Sequence, residues 1–203
     1  NDFFTREKKE IVFSSTAKDL CSPCDGYLSA YKITNKKQFQ VKGLTYTLTE
    51  LFQDETIASE FANGFLYLFR LIPSNYHRYH YFDNGKLISQ KQIDGRYHTV
   101  REVALKRKRV YLENTREYAL LQTKNFQKVA YMEVGALGVG RIVNHKQTSF
   151  ERGDEKGYFA FGGSTIILLF KKGVLKEPTM LLEKSMQNQE AVVKCGERIG
   201  ERK

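Results

Sequence analysis

Apolar and polar residues alternate along most of this chain in short runs that end before a helix would complete its turns. Residues 11–13, 26–33, 39–48, 64–71, 86–92, 109–113, 119–124, 128–133 and 138–143 read this way. Two more runs flank Gly162-Gly163-Ser164-Thr165: Tyr158 to Phe161 before it and Ile166 to Phe170 after it. Alternation rich in β-branched and aromatic residues predicts strands. Turn signals at Asp83-Asn84-Gly85, Asp94-Gly95 and Arg152-Gly153-Asp154 separate them, and residues 132–143 read as a hairpin. Helical spacing shows between Thr47 and Phe61, where Leu51, Phe52, Ile57, Ala58 and Phe61 share a face and Thr47 is placed to cap. A second short helix is predicted after Pro178, and the charged tail from Lys194 to Lys203 is predicted to fray. The pattern predicts a mostly β, β-rich α+β fold: a single compact β-sandwich or barrel-like domain over residues 1–203 with a few short helices.

Composition narrows the class. At 203 residues and 41% apolar content, the chain suits one domain with a sizeable core. No apolar run reaches bilayer-spanning length: residues 65–72 are interrupted by Arg70, and residues 165–170 are far too few. Nothing after Asn1-Asp2 reads as a signal peptide. The net charge of +10 favours an anionic partner, a phospholipid surface or a nucleic acid. The densest run, Lys106-Arg107-Lys108-Arg109, has no nucleic-acid motif around it, and lysines at a strand edge also discourage aggregation. Three cysteines, an odd number, argue against a disulfide framework and for a reducing compartment. Cys21-Ser22-Pro23-Cys24 lacks the second ligand pair of a zinc site, so no metal is expected. Gly135 to Gly140 has the order G-x-x-G-x-G without a following Gly-Lys-Ser/Thr, a poor phosphate loop.

The candidate chemistry lies at Gly163-Ser164. A serine preceded by two glycines can turn its hydroxyl back on the preceding carbonyl, because glycine has no Cβ to block the approach. Glycine pairs before a strand are also ordinary turns or bulges. Four further segments accompany this one: Phe3-Phe4-Thr5-Arg6, Ser22-Pro23-Cys24-Asp25-Gly26, Tyr76-His77-Arg78-Tyr79-His80 and Glu133-Val134-Gly135-Ala136. In this order they resemble the phosphatidylserine decarboxylase family, in its Gly-Gly-Ser-Thr branch, from Asn1 to about Lys184. The family commonly carries a further helical region before its Phe-Phe-Thr-Arg motif.

The resemblance implies self-cleavage between Gly163 and Ser164 into a β chain, 1–163, and an α chain, 164–203. Ser164 is then the nucleophile and the precursor of a covalent pyruvoyl group, which replaces pyridoxal phosphate. His80 is implied as the base that takes the Ser164 proton, with Asp25 orienting it, an Asp-His-Ser order that works as a hydrolase triad works. His77 is implied in decarboxylation, positioning substrate and handling the proton. On an extended segment His77 and His80 point to opposite faces, which suits separate tasks. The family has aspartate where this chain has Asn75, which keeps hydrogen bonding and loses a charge. His98 and His145 carry no assigned role. If the strands flanking Ser164 pair in one sheet, both chains stay together after cleavage.

The implied activity converts phosphatidylserine to phosphatidylethanolamine and CO₂. The implied partners are phosphatidylserine, an anionic membrane surface at the cytoplasmic face, the protein's own two chains and a second processed protomer, with no nucleic acid. Two alternatives compete: a pyruvoyl-dependent decarboxylase of a free amino acid, and a non-catalytic basic β-domain that binds membranes or RNA.

Overall fold

The computed structural model describes residues 6, 11–99, 102–105, 107–136, 141–160 and 164–203. Phe3-Phe4-Thr5, Gly138 and Phe161-Gly162-Gly163 therefore lie outside the described residues. In chain order the elements are β1 (Asp19–Cys21), β2 (Gly26–Lys32), β3 (Gln38–Val41), β4 (Leu44–Thr47), α1 (Leu48–Phe52), α2 (Glu55–Glu60), β5 (Phe65–Leu71), β6 (Arg78–His80) and β7 (Gly85–Ile93). There follow α3 (Glu102–Leu105), α4 (Val110–Glu113), β8 (Arg116–Thr123), β9 (Lys128–Val134), β10 (Arg141–Asn144), β11 (Ser149–Phe150), β12 (Glu155–Ala160), β13 (Ser164–Phe170), α5 (Thr179–Met186), β14 (Ala191–Val193) and β15 (Arg198–Glu201).

Eight strands form one antiparallel sheet in the order β11-β7-β8-β9-β13-β5-β2-β14, and β10-β12-β6 form a smaller sheet. Every residue of β13 is buried, which its unbroken apolar run from Ile166 to Phe170 requires. Ile166, Leu168 and Phe170 join Phe69, Tyr67 and Tyr131 in a core that includes Tyr79 and Phe159 of the smaller sheet. Ile167 and Leu169 enter the opposite core with Phe52, Phe61 and Tyr111 of the helical layer. Each of these aliphatic side chains contributes roughly 1.5–3 kcal/mol by leaving water. The large sheet thus carries a smaller sheet on one face and helices on the other. It does not close: β11 and β14 end it as short edge strands, so the barrel-like alternative is corrected to an open sheet.

Several local expectations also change. Residues 109–113 are not a strand. Arg116 donates to the carbonyls of Glu50, Leu51, Leu112 and Asn114, fixing the α4 turn against α1. The helix expected from Thr47 to Phe61 divides at Gln53, which is left-handed at φ 51°, and Asp54 starts the second helix by accepting from Ile57 N–H at 2.9 Å. Residues 39–48 fold back as the β3–β4 hairpin through Lys42 and Gly43, at φ 49° and 84°. Residues 11–13 form no strand. Among the described residues, β9 and β10 do not pair as the hairpin expected over 132–143, since they belong to different sheets. The tail does not fray: β14 pairs with β2, and β15 pairs with β1, Glu201 standing opposite Asp19.

Candidate active site

The chain passes from the large sheet to the smaller one between β5, which ends at Leu71, and β6, which begins at Arg78, and β12 of the smaller sheet ends at Ala160 before β13 of the larger begins at Ser164. Because β5 pairs with β13 and β6 with β12, these strand ends meet. Ser164 stands opposite Leu71, and the Phe159 N–H donates to the His77 carbonyl at 3.0 Å. On the far side of β5, Tyr27 stands opposite Arg70, which brings Asp25-Gly26 to the same corner. Glycine is needed at 26, where a Cβ would stand 3.0 Å from the Arg70 carbonyl oxygen. The strands expected to flank Ser164 within one sheet are not neighbours: β12 lies in the smaller sheet and β13 in the middle of the larger.

The backbone sets the state of both histidines. His77 Nδ1 lies 2.9 Å from the Asn75 carbonyl and His80 Nδ1 lies 2.9 Å from the Gly153 carbonyl. A carbonyl only accepts, so each Nδ1 carries a proton and donates it, which fixes the orientation of both rings. The Tyr76 hydroxyl lies 3.4 Å from His80 Nε2. His80 N–H donates to the Pro23 carbonyl at 2.9 Å, so the Ser22 to Asp25 segment runs alongside it. Asp25 is buried, and its Oδ1 accepts the Cys195 N–H at 2.9 Å. Lys194 Nζ is 3.7 Å from Asp25 Oδ2. Asn75 keeps the turn into the histidine segment: its Oδ1 accepts from Ile72 N–H at 2.8 Å, an acceptor role that a neutral amide fills as well as a carboxylate. Ser164 is fully buried, and its Oγ has no hydrogen-bond partner among the described residues. A buried hydroxyl left without a partner is costly unless the site uses it.

A buried ion pair near this corner escapes the sequence reading, which took Glu133 only as part of a motif. Glu133 stands opposite Ile166 in the β9–β13 register, on the face that Ser164 shares. Its Oε1 lies 2.7 Å from Lys156 Nζ. Lys156 also donates to Asn144 Oδ1 at 2.8 Å, and the ammonium lies 5.0 Å from the Tyr131 ring centroid. Burial pushes the Glu133 carboxyl up to about 7, with Lys156 holding it from rising further. The available signal was a lone acid in the apolar run Val129 to Val134. Of the other two histidines, His98 Nε2 lies 2.9 Å from Glu113 Oε2 and His145 Nε2 lies 2.8 Å from Glu155 Oε1.

The structure puts a buried serine at the start of the central strand β13, in the corner reached by the His77 segment and Asp25, and comparison with known proteins adds a separate line of observation. The family model described as phosphatidylserine decarboxylase matches residues 1–201. The chain belongs to the phosphatidylserine decarboxylase family. It is 48% identical over 203 residues to phosphatidylserine decarboxylase proenzyme 2 of Clostridium acetobutylicum, covering 99% of this chain and 70% of that protein. The phosphatidylserine decarboxylase proenzymes of Ruminiclostridium cellulolyticum and Clostridium botulinum are 41% and 42% identical, over 98% and 100% of this chain and 69% and 71% of theirs. Family membership makes the chain a pyruvoyl-type decarboxylase precursor.

Proposed function

We propose that the chain cleaves itself between Gly163 and Ser164 and then decarboxylates phosphatidylserine to phosphatidylethanolamine. The observation that carries the reading is the buried Ser164 Oγ, without a hydrogen-bond partner among the described residues, at the corner where the His77 segment and Asp25 converge. His80 Nε2 takes the hydroxyl proton, and Oγ bonds to the Gly163 carbonyl carbon as the Gly163–Ser164 C–N bond breaks, leaving an ester. Loss of the Ser164 Cα proton expels the Gly163 carboxylate. Tautomerisation, addition of water and loss of ammonia leave a ketone at residue 164. Asp25, buried and held by the Cys195 N–H, supplies a fixed negative charge that favours the imidazolium as it forms. Once formed, the pyruvoyl group supplies an electron sink for decarboxylation. His77, whose Nδ1 is tied to the Asn75 carbonyl, presents Nε2 to deliver a proton to the substrate carbon that CO₂ leaves.

The excess of ten positive charges supports attachment to an anionic bilayer. No helix among the described residues is long and apolar enough to cross a membrane. Peripheral contact at the cytoplasmic face and pairing of processed protomers complete the proposal.

Intact-mass spectrometry under denaturing conditions tests it. Two species are expected, 1–163 and 164–203, the smaller lighter by one ammonia than a serine-started peptide. Ser164→Ala gives one full-length mass and no CO₂ release from phosphatidylserine in anionic vesicles. Two fragments from Ser164→Ala, or turnover by it, sink the proposal; binding to neutral and anionic vesicles alike sinks the electrostatic attachment.

A further inference from the structure

Thr165, the residue after Ser164, points to the opposite face of the large sheet. There it stands directly across from Arg70 of β5, which in turn stands across from Tyr27 of β2. Adjacent strands are about 4.8 Å apart, so Arg70 starts one strand from the reacting residue. Its guanidinium forms a two-pronged pair with Glu190, Nε to Oε1 at 3.0 Å and Nη2 to Oε2 at 2.5 Å, and lies 4.8 Å from the Tyr27 ring centroid. Both charged side chains keep 13% exposure. Val192, opposite Tyr27 on the edge strand, is 64% exposed, so this side of the sheet opens to solvent beside the corner. The Thr165 hydroxyl is buried with no hydrogen-bond partner among the described residues.

We infer that Arg70, with Tyr27 and Thr165, forms an anion subsite for the phosphodiester of an amino-acid headgroup, and that the Glu190 carboxylate occupies it until substrate arrives. The inference rests on the reading of Ser164 as the reacting residue. The planar fork of arginine presents the same paired donors to a phosphate as to a carboxylate. Glu190 therefore shows the geometry a phosphodiester would take and competes with it. A phosphodiester fits better than a free amino acid because Ser164 and Arg70 stand on neighbouring strands but face opposite sides of the sheet, so a ligand that meets both must pass around the strand ends at residues 71 and 164. A headgroup bridges that separation, with its reacting carbon at one end and its phosphate at the other.

The test uses the full chain as wild type, Arg70→Ala, Arg70→Lys and Glu190→Gln, each checked for processing by intact mass and for folding by thermal melting. KM and kcat are measured with phosphatidylserine in vesicles and with soluble glycerophosphoserine. Calorimetry with glycerophosphoethanolamine, which holds the phosphodiester without the reacting carboxylate, reads the subsite apart from turnover. Arg70→Ala should raise KM about tenfold or more on both substrates with kcat little changed, and Arg70→Lys should fall between. Glu190→Gln should lower KM and tighten glycerophosphoethanolamine binding, opposite in sign to Arg70→Ala. If both variants only lower the melting temperature, or both raise KM, the pair is a structural tie and the inference fails. An Arg70 effect confined to vesicles would place it against the bilayer surface and also overturn the subsite. Binding of inorganic phosphate as tight as that of glycerophosphoethanolamine would remove the headgroup assignment. A wild type that never turns over yet binds glycerophosphoethanolamine through Arg70 would support the subsite while refuting the decarboxylase reading.

Discussion

At Glu133 a single residue couples burial, charge and pH. Its carboxyl rises from the ordinary 4.5 to about 7 because it is enclosed, and Lys156 opposes the rise. Between those two values the folded protein holds a proton that the unfolded chain has released. Stability from this group is therefore full below about 4.5 and is lost as pH climbs through about 7. The difference in melting temperature between wild type and Glu133→Gln should shrink in wild type's disfavour from pH 4.5 to pH 7. A difference that grows over that interval would show that the ion pair, rather than burial, governs the carboxyl. Lys156→Met removes the cation that opposes the rise, so the Glu133 carboxyl should keep its proton at neutral pH and the pH at which stability is lost should move upward relative to wild type. None of this was legible in the sequence, because Lys156 and Glu133 are far apart in the chain and meet only through the stacking of two sheets. Ser164, His77, His80 and Asp25 were legible only through the motifs. Their spacing alone does not reveal that β5–β13 and β6–β12 pairing brings Ser164 to the His77 segment.

Among the elements, the strands were read well where local pattern decides them and badly where distant partners do. Gly26 to Ile33 and Lys128 to Glu133 carry the apolar and aromatic residues of buried strands and fold as β2 and β9. The tail after Lys194 looks like a solvated charged end, and its strand β15 exists because β1, some 180 positions earlier, offers an edge to it. Residues 109–113 carry β-formers, and four hydrogen bonds from Arg116 to backbone carbonyls override that preference. The split between α1 and α2 had a local signal in Asp54, an acid suited to an N-cap three positions before Ile57. Asp54→Ala removes that cap and should cost about 1 kcal/mol. In a protein of this length that lowers the melting temperature by roughly 2–4 °C. An unchanged melting curve would mean that packing of Ala58 and Phe61, rather than the cap, holds α2 in place.

For the whole molecule, the proposed cleavage at residue 164 would divide the chain but not its core. The 164–203 piece contributes β13 between β5 and β9, β14 beside β2, and β15 beside β1. Each of its strands is therefore bonded to the 1–163 piece. Ile166 to Phe170 fill both cores, so separation would expose five fully buried apolar side chains, on the order of 10 kcal/mol of burial. The scissile connection itself joins a strand of the smaller sheet to one of the larger, so cutting it breaks no ladder among the described strands. The processed pieces should co-elute as one species in native size-exclusion chromatography and part only in denaturant. Melting of the processed protein should remain one cooperative transition, lower than that of the Ser164→Ala precursor, because a cut chain regains entropy on unfolding. Dissociation of the small piece on dilution in native buffer would contradict the central placement of β13.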